Sequence, residues 1–274
     1  MLKFGKDGWS AVISDEFTFA NVRQVATAVA GYLIDRKLLD KPLIVGYDAR
    51  FLSEKFAETA MKTLAETGIS FLLTDRDVPL PVLAWAVGDR GAAGAFVVSA
   101  GGLPHQYSGI KFIPGHGQSA LEYQSGLNLP GRGQAAKSKL ERFDPRERYL
   151  KYAEASLDID AINKAKPKIV VDPMFGSGRG YLDLLLQRAG CQVEEIHNWR
   201  DVLFGGLAPD PKEANLQELK AKVLGNKAQF GFALSGDGAS FAVIDGQGKY
   251  SPGHESPDAI LACAKIVEKT AAVL

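Results

Sequence analysis

Short, continuously apolar runs that alternate with helical patterns constrain the fold of this 274-residue chain most strongly. Residues 43–47, 94–98 and 168–172 contain such runs, and strands buried on both faces of a sheet have this composition. Between the runs, apolar residues recur every three or four positions, as on one face of a helix. The alternation predicts layered α/β domains with helices packed against the sheets.

The helical patterns have recognisable ends. Residues 21–37 place Val22, Val25 and Leu33 on one face. In the next helix, Ser53 is the predicted N-cap and Gly68 closes the C-terminal end. Further helices are predicted at 79–87, 145–156, 180–188, 216–224 and from an N-cap at Ser256 onward, and further strands at 69–73, 191–196, 230–234 and 241–245. Residues 127–134 break the alternation and predict a loop.

Composition excludes several function classes. The chain has 32 basic and 32 acidic residues, and this zero net charge argues against a nucleic-acid partner. Cys191 and Cys263 are too few for a disulfide framework and fit free thiols in a reducing compartment. The start of the sequence has no signal-peptide core, and no run reaches the roughly 20 apolar residues of a membrane helix. We therefore expect a cytoplasmic protein with no membrane partner.

The segment most informative about function is residues 99–112, which read SAGGLPHQYSGIKF. It resembles the active-site loop of the α-D-phosphohexomutases (phosphoglucomutase, phosphomannomutase and relatives), which reads TASHNPPEYNGIKF. Seven of the fourteen positions agree. In that family, the serine of the SHN sequence carries the phosphoryl group. Gly101, Gly102 and Leu103 stand at the Ser, His and Asn positions, so the resemblance implies an active-site frame that has lost its catalytic residues.

Other segments carry the same resemblance and similar losses. Residues 4–10 resemble the family's FGTDGWR, with Ser10 in place of the arginine. Residues 45–50 match VGYDTR and keep Arg50, which either binds an anion or forms an ion pair with Asp48. Residues 172–180 resemble the DPMHGxG loop, with Phe175 in place of the histidine.

The family's metal loop is also altered. It reads FDGDADR, whereas residues 234–240 here read LSGDGAS, so that Asp237 is the one remaining aspartate and Ser235 and Ala239 replace the other two. Mg²⁺ requires hard oxygen ligands, and one carboxylate with two small neutral side chains is a poor site. We therefore expect no metal cofactor. Lys111, within the active-site loop, is a candidate phosphate ligand or an ordinary surface charge.

The resemblance implies two consecutive phosphohexomutase-type α/β/α domains with mixed sheets flanked by helices, plus a C-terminal helix. We place domain I at residues 1–150, domain II at 151–255 and, at 256–274, a helix that is a remnant of domain III. Family enzymes have four domains, and this sequence ends where the third should begin. The apolar face of that helix either folds back on domain II or pairs with another copy.

Three functional hypotheses follow. The first is a phosphohexomutase relative without mutase activity that binds a sugar phosphate or acts as a regulatory or interaction protein. The second is an active phosphosugar mutase, alone or completed by a partner chain that supplies the missing domains. The third is a structural or assembly protein without a small-molecule ligand. The candidate partners are a sugar phosphate, and a second copy or another protein that binds the surface formed by domain II and the C-terminal helix.

Overall fold

The computed structural model describes residues 8–115, 138–254 and 256–272, and the loop predicted at 127–134 lies outside these ranges. The chain divides into two compact units. The first comprises Met1–Val78, Leu83–Ala100 and Gln106–Pro145. The second comprises Pro79–Val82, Gly101–His105 and Arg146–Leu274.

The elements follow one another as strands and helices in both units. The strands are β1 (Trp9–Val12), β2 (Leu43–Tyr47), β3 (Phe71–Thr74), β4 (Gly94–Val98), β5 (Tyr107–Pro114), β6 (Leu140–Phe143), β7 (Lys168–Asp172), β8 (Gln192–Glu195), β9 (Phe230–Leu234), β10 (Phe241–Asp245) and β11 (Tyr250–Pro252). The helices are α1 (Phe19–Asp35), α2 (Ser53–Leu64), α3 (Leu80–Asp89), α4 (Arg146–Ala155), α5 (Ile159–Ala165), α6 (Leu182–Arg188), α7 (Gln217–Asn226) and α8 (Ala259–Ala271).

The described part of the first unit contains a mixed sheet in the order β1-β5-β4-β2-β3-β6. Strands β4, β2, β3 and β6 run parallel, whereas β5 is antiparallel to β4 and to β1. Alternate residues of β2 face opposite layers. Leu43 and Val45 belong to the core formed with α1 and α2. Gly46 faces α3, because a Cβ atom at this position would lie 2.6 Å from a methyl carbon of Leu83.

The second unit repeats this plan with a sheet in the order β11-β10-β9-β7-β8. Strands β9, β7 and β8 are parallel, and β10 is antiparallel to β9. Val170 and Ala233 pack against Leu219 and Val223 of α7. Because the carboxyl ends of parallel strands meet at one edge of a sheet, the loops after β7, β8 and β9 are brought together there.

Both predicted serine caps are wrong. The N-cap position of α2 is Leu52, and Ser53 is the first helical residue, whose hydroxyl donates a hydrogen bond to Asp48 at 2.9 Å. Asp258, not Ser256, caps α8 and accepts a hydrogen bond from the amide of Leu261 at 2.9 Å. Helix α2 has no side-chain cap, and the hydroxyl of Ser256 donates to the carbonyl oxygen of Asp258 at 2.9 Å instead of capping α8.

Helix α8 folds onto the second unit. It packs against α5, α6 and β9, and its apolar face, including Ile260, Cys263 and Val267, is buried. The hydroxyl of Tyr149 on α4 donates to the carboxylate of Asp258 at 2.8 Å, which ties the start of α8 to another helix. Within the described ranges, no helix is long and apolar enough to span a membrane.

Candidate functional site

The loop after β4 contains the three positions at which the resemblance places reactive side chains. Gly101 has a φ of +60°, a conformation that residues with a Cβ atom disfavour. A Cβ atom at Gly102 would lie 3.1 Å from the Cβ atom of Asp210 and 3.3 Å from its Cα atom. Leu103 is exposed beside them. The two glycines therefore suit a loop whose backbone lies directly against Asp210.

The loops after β9 and β7 lie next to this one inside the second unit. A Cβ atom at Gly236 would lie 2.8 Å from Cγ of Pro209 and 3.1 Å from the carbonyl oxygen of Gly101. The carbonyl oxygen of Gly236 accepts hydrogen bonds from the amide of Ser177 at 2.9 Å and from its hydroxyl at 3.1 Å. The loops therefore contact one another mainly through main-chain atoms.

Asp237, the candidate metal ligand, is buried in a tight turn. Its Oδ1 atom accepts hydrogen bonds from the hydroxyl of Ser235 at 3.1 Å and from the amide of Ala239 at 3.2 Å. The Oγ atom of Ser235 in turn accepts a hydrogen bond from the amide of Ser240 at 3.0 Å. The carboxylate therefore stabilises the conformation of its own loop.

The donor set of this turn does not fit a magnesium site of the family type. Position 235 contributes a hydroxyl, position 237 a carboxylate and position 239 a methyl group. Three carboxylates would neutralise the cation and complete much of its octahedron, whereas this loop supplies one. Among the described residues, no group of three or more His, Cys, Asp or Glu side chains is arranged to hold a metal ion.

Arg50, the candidate anion ligand, is fully buried at the end of β2. Its Nε atom lies 3.1 Å from Oδ2 of Asp48, and its Nη1 atom donates to the carbonyl oxygen of Tyr107 at 3.1 Å. Its own amide donates to Oδ1 of Asp48 at 3.1 Å. Of the two interpretations of Arg50, the geometry supports the ion pair that holds the loop after β2.

The remaining sequence candidates lie on strands of the first unit. Lys111 is half-buried on β5, opposite Val97 of β4. Ser10 is exposed on β1 and pairs with Gly109 of β5. Both residues therefore belong to the sheet of the first unit and not to the loop after β4.

Sequence reasoning gave no role to His197, which lies beside Asp172 in the structure. Asp172 ends β7, and His197 follows the neighbouring parallel strand β8. The Nδ1 atom of His197 lies 3.1 Å from both carboxylate oxygens of Asp172. The signal available in the sequence was position alone: both residues follow parallel strands, whose carboxyl ends meet at one edge.

The chain contains two α/β/α domains in succession. Each has a mixed sheet, and its loops gather where the parallel strands end. This arrangement is the phosphohexomutase-type fold. Comparison with known proteins agrees. Residues 1–125 match the phosphoglucomutase/phosphomannomutase α/β/α domain I, and residues 147–248 match domain II of the same family. The chain belongs to the phosphoglucomutase/phosphomannomutase family.

Its relatives are similar over most of this chain. A phosphoglucomutase/phosphomannomutase of Thermococcus kodakarensis is 28% identical over 92% of this chain and 57% of its own length. A "probable phosphoglucosamine mutase" of Methanosphaera stadtmanae is 30% identical over 90% and 56%. The crystal structure of a "putative phosphomannomutase" from Thermus thermophilus matches with a TM-score of 0.81 and 30% identity over 91% and 58%. The chain thus spans less than three fifths of the length of these relatives.

Proposed function

We propose that this protein is a phosphohexomutase relative that does not catalyse phosphoryl transfer and instead binds a sugar phosphate, or a partner protein, in a regulatory role. The observation that carries this proposal is the loop after β4. Gly101 and Gly102 offer no side-chain nucleophile or proton-transfer group, and their backbone lies against Asp210 and close to Gly236.

Phosphoryl transfer places strict demands on such a loop. It requires an oxygen nucleophile in line with the phosphorus atom and cationic groups around the transferring phosphoryl group. Ser99, the nearest hydroxyl upstream, is buried and precedes Gly101 by two residues, which is about 6–7 Å along an extended chain. Geometry that is wrong by even about 1 Å lowers rates strongly. A shifted nucleophile at Ser99 is therefore a weak substitute.

The second candidate function is an active phosphosugar mutase, alone or completed by a partner chain. The observation that favours it is that relatives 28–30% identical to this chain carry mutase names. Under this alternative, the nucleophile and the cationic groups around the phosphate would have to come from residues other than those at positions 101, 102 and 10.

A mutase assay separates the two functions. Glucose 1-phosphate, mannose 1-phosphate and glucosamine 1-phosphate are each incubated with the purified chain, Mg²⁺ and the matching bisphosphate, with an active family enzyme as positive control. We expect no isomerisation above background. Turnover in the common enzyme range of about 1–10³ s⁻¹ would overturn the proposal.

A variant sharpens this assay. The combined substitution Gly101→Ser, Gly102→His and Leu103→Asn restores the family sequence of the loop. We expect it to remain inactive, because position 101 has a positive φ and position 102 lies against Asp210. Gain of mutase activity in this variant would mean that the loop alone limits catalysis.

Ligand binding is tested by thermal unfolding against the same sugar phosphates. A ligand at 100 times its dissociation constant stabilises the folded state by about 2.7 kcal/mol, a readily measured effect. We expect stabilisation by at least one sugar phosphate. A flat response across the panel would favour the third hypothesis, a structural or assembly protein without a small-molecule ligand.

A further inference from the structure

The surface around Trp199 in the second unit is not explained by the proposed function. Trp199 is exposed at 59%, more than any other large hydrophobic side chain in the described ranges. Its ring is nevertheless positioned by neighbours: the ring centroid of Phe175 lies 5.0 Å away at an angle of 79°, and that of His197 lies 6.0 Å away. The indole is thus a supported flat apolar surface that faces solvent.

Two carboxylates flank His197 beside this surface. The Nδ1 atom of His197 contacts both oxygens of the buried Asp172, and its Nε2 atom lies 3.2 Å from Oε2 of Glu218. The hydrogen bond with Asp172 raises the pKa of His197. The side chain of Glu218 is 59% exposed, which leaves carboxylate oxygen available to a ligand.

The backbone around this cluster is strained. Met174, Phe175, His197 and Phe204 all have positive φ values, between 48° and 59°. Such conformations cost about 1–3 kcal/mol each for residues with a side chain and gather at ligand-binding loops. Here they are maintained by specific bonds: the amide of Met174 donates to Asp172 at 2.7 Å, and that of Phe175 donates to the carbonyl oxygen of His197 at 3.1 Å.

We propose that Trp199, His197 and Glu218 form a binding site for a pyranose ring that carries no phosphate. The C–H groups on one face of a sugar ring stack on an exposed indole, and hydroxyl groups at the ring edge donate to the carboxylate of Glu218. A purely apolar ligand would leave that carboxylate unused. The site lies where β7 and β8 end, the usual position of ligands in α/β sheets.

The exposed carboxylate of Glu218 disfavours a phosphate group at this site. A phosphate dianion placed beside that carboxylate would be repelled by it, whereas the hydroxyl groups of an uncharged sugar can donate to it. The proposed sugar site uses none of the residues of the loop after β4, so its test does not depend on the proposed function.

Ligand-observed NMR with the full chain tests the site, and methyl β-D-glucopyranoside serves as the probe. We expect saturable binding in the millimolar range and weaker binding of glucose 1-phosphate in competition. Trp199→Ala should weaken binding of the probe about tenfold, the equivalent of roughly 1.4 kcal/mol of lost stacking. Trp199→Phe, which keeps an aromatic face, should bind within a few-fold of the natural protein.

Two further variants identify the contacts. Glu218→Gln removes the charge at an exposed position and should weaken the glucoside several-fold, whereas Leu140→Ala, an equally exposed residue on β6, should have no effect. Absence of saturable glucoside binding, or equal binding by Trp199→Ala and the natural protein, would overturn the site. Loss of the glucoside signal in Trp199→Ala with an unchanged thermal response to sugar phosphates would separate this site from the proposed function.

Discussion

The loops after β4 and β7 each follow a strand that is parallel to a neighbour in its own sheet, yet their side chains differ in kind. The loop after β4 carries Gly101 and Gly102, which have no side chains and lie close to Asp210 and Gly236. The loop after β7 follows the buried Asp172, which contacts His197, and carries Phe175, which packs on His197 and Trp199. The difference shows that the fold determines where a loop lies, whereas the side chains it carries determine whether chemistry or packing takes place there.

The largest change in stability is expected from a substitution that disturbs the packing of the loop after β7. In Gly176→Ala, the new Cβ atom would lie 2.5 Å from the carbonyl oxygen of Gly236 and 2.6 Å from its Cα atom, so backbone must move. We expect the free energy of unfolding in urea to fall by about 3 kcal/mol.

Gly225→Ala is the matched control, since nothing lies within 4 Å of that position in α7. It should be neutral or stabilising by about 0.5–1 kcal/mol. Equal effects of the two variants would mean that the close approach at Gly176 is relieved at little cost.

The next largest change in stability is expected when Asp172, whose carboxylate stabilises the loop after β7, is replaced. Asp172→Ala removes the buried acceptor of the Met174 amide and the partner of the partly buried His197. We expect a loss of about 2 kcal/mol in the free energy of unfolding. Asp245→Ala is the control, because that carboxylate also accepts two backbone hydrogen bonds but lies in an exposed turn. If Asp245→Ala lowers the free energy of unfolding as much as Asp172→Ala does, burial of the carboxylate is not the cause of the effect.

A smaller effect is expected in the loop after β4. Gly102→Ala would place a methyl group 3.1–3.4 Å from three atoms of Asp210, a contact that shifts of a few tenths of an ångström can relieve. We expect a loss of about 1 kcal/mol in urea unfolding. A neutral result would mean that the loop is not pressed against Asp210 in solution, which would weaken the main observation behind the proposed function.

The smallest effect concerns pH. The pKa of His197 is raised by Asp172, so its contribution to stability is present below its unfolded pKa of about 6.5 and is lost as pH rises through the folded value. We expect the stability advantage of the natural protein over His197→Gln to shrink by less than about 1 kcal/mol across this window, because the site is partly solvated. Burial raises the pKa of Asp183 to about 6, so comparison of the two proteins is needed to cancel its titration. An advantage that grows with pH would contradict this assignment.

Much of the fold could be predicted from the sequence. The predictable elements are those that a run of buried apolar residues specifies without help from distant parts of the chain. The predicted strands at 43–47, 94–98, 168–172, 230–234 and 241–245 are confirmed residue for residue, because each contains an apolar run that is largely buried. Strands β1, β6 and β11 carry no such signal. They lie at sheet edges, are short and partly exposed, and their pairing depends on residues far away along the chain.

The site was less predictable for a related reason. Resemblance located the altered loop, but the contact of Gly102 with Asp210 joins residues more than a hundred positions apart. His197 lies 25 residues from Asp172, and no short motif marks the pair. The caps show the same limit: Ser53 has the residue type of an N-cap, yet its hydroxyl bonds to Asp48. In each case the role of the side chain depends on a partner that its residue type does not reveal.

The fully buried thiol of Cys263 can report how often α8 detaches from the second unit. Burial raises its pKa well above the ordinary value, so the thiol is both inaccessible and poorly ionised while α8 stays packed. A thiol reagent can reach it only when the helix detaches or the second unit unfolds. The labelling rate of Cys263 therefore measures how often this part of the molecule opens, and a variant that removes the Tyr149 hydroxyl from Asp258 should accelerate it.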